Sequence, residues 1–187
     1  MQLFKIFKTI NKLMKIKTKF KNLFLFKNKH FKDQRGYFRE ILKEKVIKKK
    51  FPLHLSSFSK QYVLRGLHLQ IQDTQGKFIT VIKGKIFDIA LDLRKKSSTY
   101  GKYYSCILSE NNATSIYIPP GFAHGFQTLE KENYIVYSCT KYWNKKSEIS
   151  IKFDDKDLNI KWPLKKKILS TKDKKGISLN KFKSIYK

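Results

Sequence analysis

Cysteine is scarce in this 187-residue chain, and long apolar runs are missing. The two cysteines, Cys106 and Cys139, are neither spaced as a metal-binding CxxC pair nor numerous enough for a disulfide framework. We therefore expect a protein of the reducing cytoplasm. No uninterrupted apolar stretch approaches the roughly 20 residues that a membrane-spanning helix needs, so no transmembrane segment is expected.

Acidic residues are also few: 14 Asp and Glu stand against 42 Lys and Arg, which gives a net charge of +28. The excess is unevenly distributed, because residues 65–160 hold 14 basic and 10 acidic side chains, a balance of +4, and the flanks carry the other +24. Nearly all of the basic residues are lysines, without the arginine-rich stripe, zinc-finger or RNP-like string that base-specific binding requires. We interpret the charge as a solvated surface and expect no specific nucleic-acid partner.

The first 13 residues differ in pattern from the rest. Lysines interrupt them every few positions and no small-residue cleavage site follows, unlike a secretory signal. Apolar residues recur at helical spacing opposite the lysines, which also suits an interfacial helix attracted to anionic lipid. We predict a basic amphipathic extension over residues 1–13 and one domain over residues 14–187, a length that suits a single core.

The middle of the chain is rich in short β-branched and aromatic runs. They predict strands over residues 78–82, 86–93, 103–108, 115–118 and 134–140, with turns at 83–85, 97–101 and 111–112. Helices are expected only within residues 40–50 and the last twenty residues. Many short strands with turn signals between them are typical of an all-β sandwich or barrel.

The spacing Pro119-x-Gly121-x-x-His124 resembles the second half of the signature of the cupins, whose fold is a double-stranded β-helix or jelly roll with a few short helices. A metal-binding cupin also carries an H-x-H plus Glu cluster in the first half, whereas His68 is flanked by Leu67 and Leu69. A divalent ion requires three or four converging ligands. We therefore expect no metal, and no other cofactor.

Seven short strings follow one another along the chain: Phe31-x-Asp33-x-Arg35-Gly36-x-Phe38-x-Glu40, Ser59-x5-Arg65-Gly66-Leu67-His68-x-Gln70, Gln75-Gly76-Lys77, Asp88-x3-Asp92-Leu93-Arg94-x3-Ser98-Thr99-x-Gly101, Ile118-Pro119-x-Gly121-Phe122-Ala123-His124-Gly125-Phe126, Tyr137-x-Cys139-Thr140 and Ile160-x-Trp162-Pro163. In this order they resemble the dTDP-4-dehydrorhamnose 3,5-epimerase family, the dTDP-sugar isomerase branch of the cupins. The likeness extends from about residue 17 to residue 179.

That family inverts the carbons next to the ketone of a nucleotide-linked 4-keto-6-deoxyhexose in deoxysugar biosynthesis, without a metal or redox cofactor. Such a C–H is a very weak acid, so the site needs a base, a proton donor on the other face and a positive group at the carbonyl oxygen. The resemblance implies that His68 is the base and Tyr137 the acid. It also implies that Lys77 stabilises the enolate and that Asp173 holds His68.

For substrate binding, the resemblance implies that Arg65 holds the diphosphate, which suits the guanidinium fork. It places Arg35, Phe38 and Glu40 at the nucleotide or sugar end, reaching across a homodimer. Further binding residues implied at the site are Gln70, His124 and Trp143.

The chain departs from the family pattern where a Gln-x-Asn pair is usual, since those places hold Leu53 and Leu55. Trp143 also stands where a tyrosine is common. Three alternatives stay open from the sequence: a nucleotide-sugar ketoisomerase of the same fold, a sugar-nucleotide binding module without catalysis, and a basic protein of nucleic-acid or membrane surfaces.

Overall fold

The structure, a computed structural model, describes residues 13–186. The strands that it contains are β1 (Met14–Lys17), β2 (Phe24–Lys27), β3 (Phe31–Asp33), β4 (Gly36–Phe38), β5 (Leu53–Lys60), β6 (Leu64–Gln70), β7 (Lys77–Lys83), β8 (Lys85–Asp92), β9 (Tyr103–Ser109), β10 (Thr114–Ile118), β11 (Phe122–Thr128), β12 (Glu132–Cys139) and β13 (Glu148–Ser150). The α-helices are α1 (Glu44–Ile47), α2 (Thr171–Lys174) and α3 (Leu179–Ile185).

The strands form two large antiparallel sheets and a separate β3–β4 hairpin. One sheet has the order β1-β2-β10-β7-β12-β5, and the other has the order β13-β6-β11-β8-β9. From β5 to β8, and again from β10 to β13, successive strands alternate between the two sheets. This alternation is that of a jelly roll, and the predicted all-β cupin fold is confirmed.

Two hydrophobic layers hold the sheets in place. The first lies between the sheets, with Ile79 and Ile135 from one and Ile86 and Phe126 from the other. The second covers the outer face of the five-stranded sheet, where Leu158 and Leu179 and their neighbours from the C-terminal part of the chain pack. β8 is buried on both sides, because its alternate side chains enter the two different layers. The C-terminal segment is thereby brought against β6.

The predicted strands correspond to β7, β8, β9, β10 and β12, and the helices fall within the two predicted regions. Of the predicted extension, residues 1–12 lie outside the described part of the chain. Leu13 is buried against Phe26 and Phe78 in a third apolar cluster. Within residues 13–186, every helix is too short or too polar to cross a lipid bilayer.

Candidate active site

Residues from both sheets line one cavity of about 300 Å³. The strand register explains their convergence: His68 on β6 lies opposite His124 on β11, and Lys77 on β7 lies opposite Cys139 on β12. The full lining is Leu55, Ser56, Arg65, His68, Gln75, Lys77, His124, Phe126, Tyr137, Cys139 and Trp143. Three of the four predicted catalytic side chains, His68, Lys77 and Tyr137, are therefore at one site, and the fourth, Asp173, is bonded to one of them.

His68 is bonded to Asp173, 105 residues further along the chain. Its Nε2 lies 2.5 Å from Oδ1 of Asp173, a carboxylate that is only 4% exposed. The Ser170 hydroxyl caps α2 and donates a hydrogen bond to the other carboxylate oxygen at 2.8 Å. Burial raises the pKa of Asp173, but hydrogen bonds from His68, Ser170 and the backbone N–H of Gly66 outweigh it and hold this pKa below its usual range. The carboxylate stays ionised and orients the imidazole.

Tyr137 enters the cavity from the opposite sheet. Its phenol oxygen lies 2.9 Å from the hydroxyl of Ser57 on the neighbouring strand β5. Burial raises the pKa of Tyr137 to about 12. The phenol therefore remains protonated at neutral pH, which is the form that an acid requires.

Lys77 places an ammonium group in the same cavity. Burial lowers the pKa of Lys77, while the negative charges of Glu148 and Asp88 oppose this shift. Within residues 13–186 no carboxylate forms a hydrogen bond or ion pair with this ammonium group. Its hydrogen-bonding capacity is thus available for a group that enters the cavity.

A second histidine–carboxylate pair lies beside the first and was not predicted. His124 Nε2 is 2.8 Å from Oδ2 of Asp88, and both residues are buried. The His124 and Tyr137 ring centroids are 6.4 Å apart. An aspartate in such a strand favours strand-end hydrogen bonds over chemistry, yet Asp88 shares the inward face of β8 with Ile86 and Ala90. The alternation of side chains along β8 was the sequence pattern that could have indicated this inward position.

Glu148 and Lys172 were also missed by the sequence analysis. Their side chains form an ion pair that joins β13 to α2, the helix that carries Asp173. Burial raises the pKa of Glu148, but Lys172, together with the charges of His68 and Lys77, holds it below its usual range. Lys172 stands in the string Ser170-Thr171-Lys172-Asp173, which resembles a late motif of the family, but only Asp173 was given a role from it. Glu148 stands in none of the strings.

The predicted binding residues divide into those at the cavity and those away from it. Arg65 and Trp143 line the cavity and are exposed, and Arg65 Nε donates to the Ser59 hydroxyl at 3.2 Å. Gln70 is buried elsewhere: its amide group is bonded to the backbone at Asp73 and in the loop after β12. Gln70 therefore shapes that loop in this structure.

The three residues around the β3–β4 hairpin also lie away from the cavity of their own chain. Arg35 forms an exposed ion pair with Asp33 at 2.6 Å, and Glu40 pairs with Lys43 at 3.0 Å. Phe38 is 55% exposed. None of the three contributes to the cavity lining of the described residues.

The chemistry of the cavity is that of acid and base groups. Across residues 13–186, no three His, Cys, Asp or Glu side chains are grouped so as to hold a metal ion. Each cavity histidine is instead bonded to a single aspartate. The cavity thus holds a base with an ionised partner, a protonated phenol and an unpaired ammonium. Together these groups can remove a proton from one face of a bound molecule and donate a proton to the other face.

Comparison with known proteins agrees with this geometry. The family model described as dTDP-4-dehydrorhamnose 3,5-epimerase matches residues 17–181. The dTDP-4-dehydrorhamnose 3,5-epimerases of Shigella flexneri and Methanothermobacter thermautotrophicus are each 40% identical, over 86% and 85% of this chain and 93% and 90% of theirs. The crystal structure of the Legionella pneumophila dTDP-6-deoxy-D-glucose-3,5-epimerase with dTDP-4-keto-L-rhamnose superposes with a TM-score of 0.86 at 39% identity, covering 89% of this chain and 93% of that one.

Proposed function

This chain belongs to the dTDP-4-dehydrorhamnose 3,5-epimerase family, and from that premise we propose how its cavity inverts the carbons beside the ketone of a dTDP-linked 4-keto-6-deoxyhexose. The observation that carries the assignment of roles is the placement of His68, Lys77 and Tyr137 in one cavity of about 300 Å³. A base, an electrophile and an acid are the three groups that enolisation and reprotonation require.

The first step is removal of the proton next to the ketone by His68. Because Asp173 is ionised and lies against Nε2, that nitrogen carries the hydrogen and Nδ1 carries the lone pair. Nδ1 takes the substrate proton, the C–H electron pair forms the C=C bond, and the carbonyl oxygen becomes an enolate oxygen. Asp173 stabilises the imidazolium that results.

Lys77 stabilises the enolate, and Tyr137 completes the inversion. A cation in a buried site interacts strongly with a developing oxyanion, and Lys77 has no bonded carboxylate to compete with it. Tyr137, which reaches the cavity from the other sheet, then donates its proton to the opposite face of the same carbon. Water returns a proton to the phenolate and removes one from His68, so the overall reaction is an isomerisation.

The His68→Asn variant tests this mechanism. With dTDP-4-keto-6-deoxyglucose in deuterated water, we expect exchange at the substrate carbons to fall by about 10²- to 10⁴-fold while dTDP binding is retained. The matched control is His54→Asn, since His54 is bonded to Ser138 and does not line the cavity. Exchange within a few-fold of the unmodified protein would show that His68 is not the base.

We also propose that the protein is a cytoplasmic homodimer. The edge strand β5 exposes Phe58, whose ring lies 4.9 Å from that of Tyr134 on β12, which is also exposed. A contiguous exposed apolar patch is typical of an interaction surface. A second copy seated there would cover this patch, and the exposed Arg35 and Phe38 would reach the cavity of that copy. The two cysteines, both free thiols, support the cytoplasmic location.

A further inference from the structure

The Tyr137 phenol is bonded to one other side chain of the described residues, that of Ser57, with the two oxygens 2.9 Å apart. In the pairing of β5 with β12, Ser57 lies opposite Ile135, two residues from Tyr137 along its strand. Side chains two residues apart on a strand share a face, so Ser57 and Tyr137 are diagonal neighbours on the face between the sheets. Ser57 itself does not line the cavity. Its hydroxyl therefore contacts the phenol rather than a molecule bound in the cavity.

The direction of this hydrogen bond is fixed when Tyr137 acts as the acid. A phenol has one hydrogen, and that hydrogen must point at the substrate carbon that it protonates. The bond between the two oxygens then has to use the Ser57 hydrogen, which the serine hydroxyl donates to the phenol oxygen. With this donor on one side of the oxygen, the phenol hydrogen is left to face the cavity.

The same bond gains strength as Tyr137 loses its proton. Burial raises the pKa of Tyr137 to about 12, while the hydrogen bond from Ser57 and the charge of Arg65 oppose that shift. A hydrogen bond to an ionised oxygen is roughly twice as strong as one between neutral groups. An interaction that is stronger in the transition state than in the ground state accelerates the step in which it forms. The Ser57 hydroxyl thus favours the phenolate that remains when Tyr137 has protonated the substrate.

We propose that Ser57 is a positioning residue for the second half of the epimerisation, in which it directs the Tyr137 hydrogen to the substrate and stabilises the phenolate that follows. This inference rests on the proposed function, because it takes Tyr137 as the acid. Among the described residues His68 is bonded to Asp173 and not to Ser57, so Ser57 has no part in removing the first proton. Loss of its hydroxyl should therefore slow inversion without slowing enolisation.

The Ser57→Ala variant tests the proposal, with dTDP-4-keto-6-deoxyglucose in deuterated water and with exchange and inversion both followed by NMR. We expect kcat for inversion to fall about tenfold to a hundredfold, as the loss of one hydrogen bond to a charged group predicts. KM and the exchange rate should stay within a few-fold. Ser57→Thr, which keeps a hydroxyl on the strand, should recover most of the inversion. The matched control is Ser138→Ala, which removes a hydroxyl bonded to His54 on the opposite face of the same two strands and should change neither rate.

Other outcomes would overturn the proposal. Equal losses of exchange and inversion in Ser57→Ala, or no recovery in Ser57→Thr, would mean that the serine only supports the shape of the cavity. If Ser57→Ala does not fold, Ser57→Cys retains a weak donor, and an unchanged ratio of exchange to inversion in that protein would refute the role of Ser57.

Tyr137→Phe, measured in parallel, separates this inference from the proposed function. If that variant exchanges without inverting while Ser57→Ala keeps its inversion, only the role of Ser57 is wrong. If Tyr137→Phe inverts normally, Tyr137 is not the acid and the proposed mechanism itself is wrong.

Discussion

Tyr137 is held in its protonated form by burial, and this makes the two halves of the reaction separable. Tyr137→Phe should still allow His68 to remove and return a proton on its own face, so solvent deuterium should enter the substrate without net inversion. Exchange and product can be followed together by NMR. Tyr134→Phe is the matched control, since Tyr134 is on the same strand but exposed outside the cavity. Normal epimerisation by Tyr137→Phe would transfer the role of acid to another donor, such as Tyr142.

The lowered pKa of Lys77 predicts a decline of activity on the alkaline side of the pH profile. Because burial lowers its pKa below the usual 10.5, the cation is lost as pH rises through that lowered value. Activity that needs the cation is present below this pKa and should decline above it, before Tyr137 titrates near 12. In Lys77→Arg the guanidinium stays protonated, so the alkaline decline of kcat/KM should disappear even where the rate is lower. An unchanged decline in that variant would assign the limb to another group.

The apolar side chain of Leu55 predicts weak selection of the nucleotide base. It is 46% exposed and lines the cavity next to Ser56, where the family pattern has a polar side chain. Leucine offers no hydrogen bond to a pyrimidine edge, and a lost neutral hydrogen bond is worth about 0.5–1.5 kcal/mol, which is roughly tenfold in affinity or less. We expect dTDP and UDP to compete alike, and Leu55→Asn to change their ratio. A hundredfold preference for dTDP in the unmodified chain would show that other residues select the base.

At the residue scale, the sequence assigned roles only through resemblance: the seven ordered strings for His68, Lys77 and Tyr137, and the later string Ser170-Thr171-Lys172-Asp173 for Asp173. Composition alone does not separate Lys77 from the other lysines, nor Asp173 from carboxylates that only cap helices. Asp88, Glu148 and Lys172 were missed because their relevance is spatial: each lies far along the chain from the group that it accompanies. Contact between residues far apart along the chain is the information that a single sequence lacks.

At the scale of elements, the strands found from the sequence are the ones with uninterrupted β-branched or aromatic residues. β6 (Leu64–Gln70) and β11 (Phe122–Thr128) were predicted only as strands or tight turns, without bounds, because arginine, histidine and glycine interrupt their apolar pattern. These are the strands that carry the two cavity histidines. The residues that make the two motifs recognisable are thus the same residues that interrupt the apolar pattern of these strands.

We predict that the β3–β4 hairpin of one subunit contributes Arg35 to the cavity of the other, and mixed dimers can test this. If Arg35 acts in the cavity of the second copy, Arg35→Ala and His68→Asn proteins should each be inactive. A mixed dimer then has one doubly altered site and one intact site, so activity should appear when the two proteins are unfolded and refolded together. Arg35→Ala mixed with Arg35→Ala is the control. Failure of the mixture to recover activity, with mixed dimers present, would mean that Arg35 does not act across the dimer, and an active Arg35→Ala protein would place Arg35 outside catalysis.

At the scale of the whole molecule, the net charge of +28 predicts weak and non-specific attraction to nucleic acid. Since the excess lies in lysines without a base-reading motif, duplex DNA should bind only through counterion release and be lost by about 200 mM salt. Fluorescence anisotropy with two duplexes of different sequence would measure this. Sequence preference that survives such salt would contradict the assignment of these lysines to a solvated surface.

The hydrogen bond between His68 and Asp173 joins two residues that are synthesised at different times. Ribosomes synthesise the chain from its N-terminus at roughly 5–20 residues per second, so His68, Lys77 and Tyr137 emerge before Asp173 exists. Until α2 docks on β6 through Asp173 and on β13 through the Glu148–Lys172 pair, the nascent chain holds a histidine without its carboxylate. Catalytic competence therefore arrives as one late event in biosynthesis, since a chain that ends before Asp173 has its base without the carboxylate that orients it.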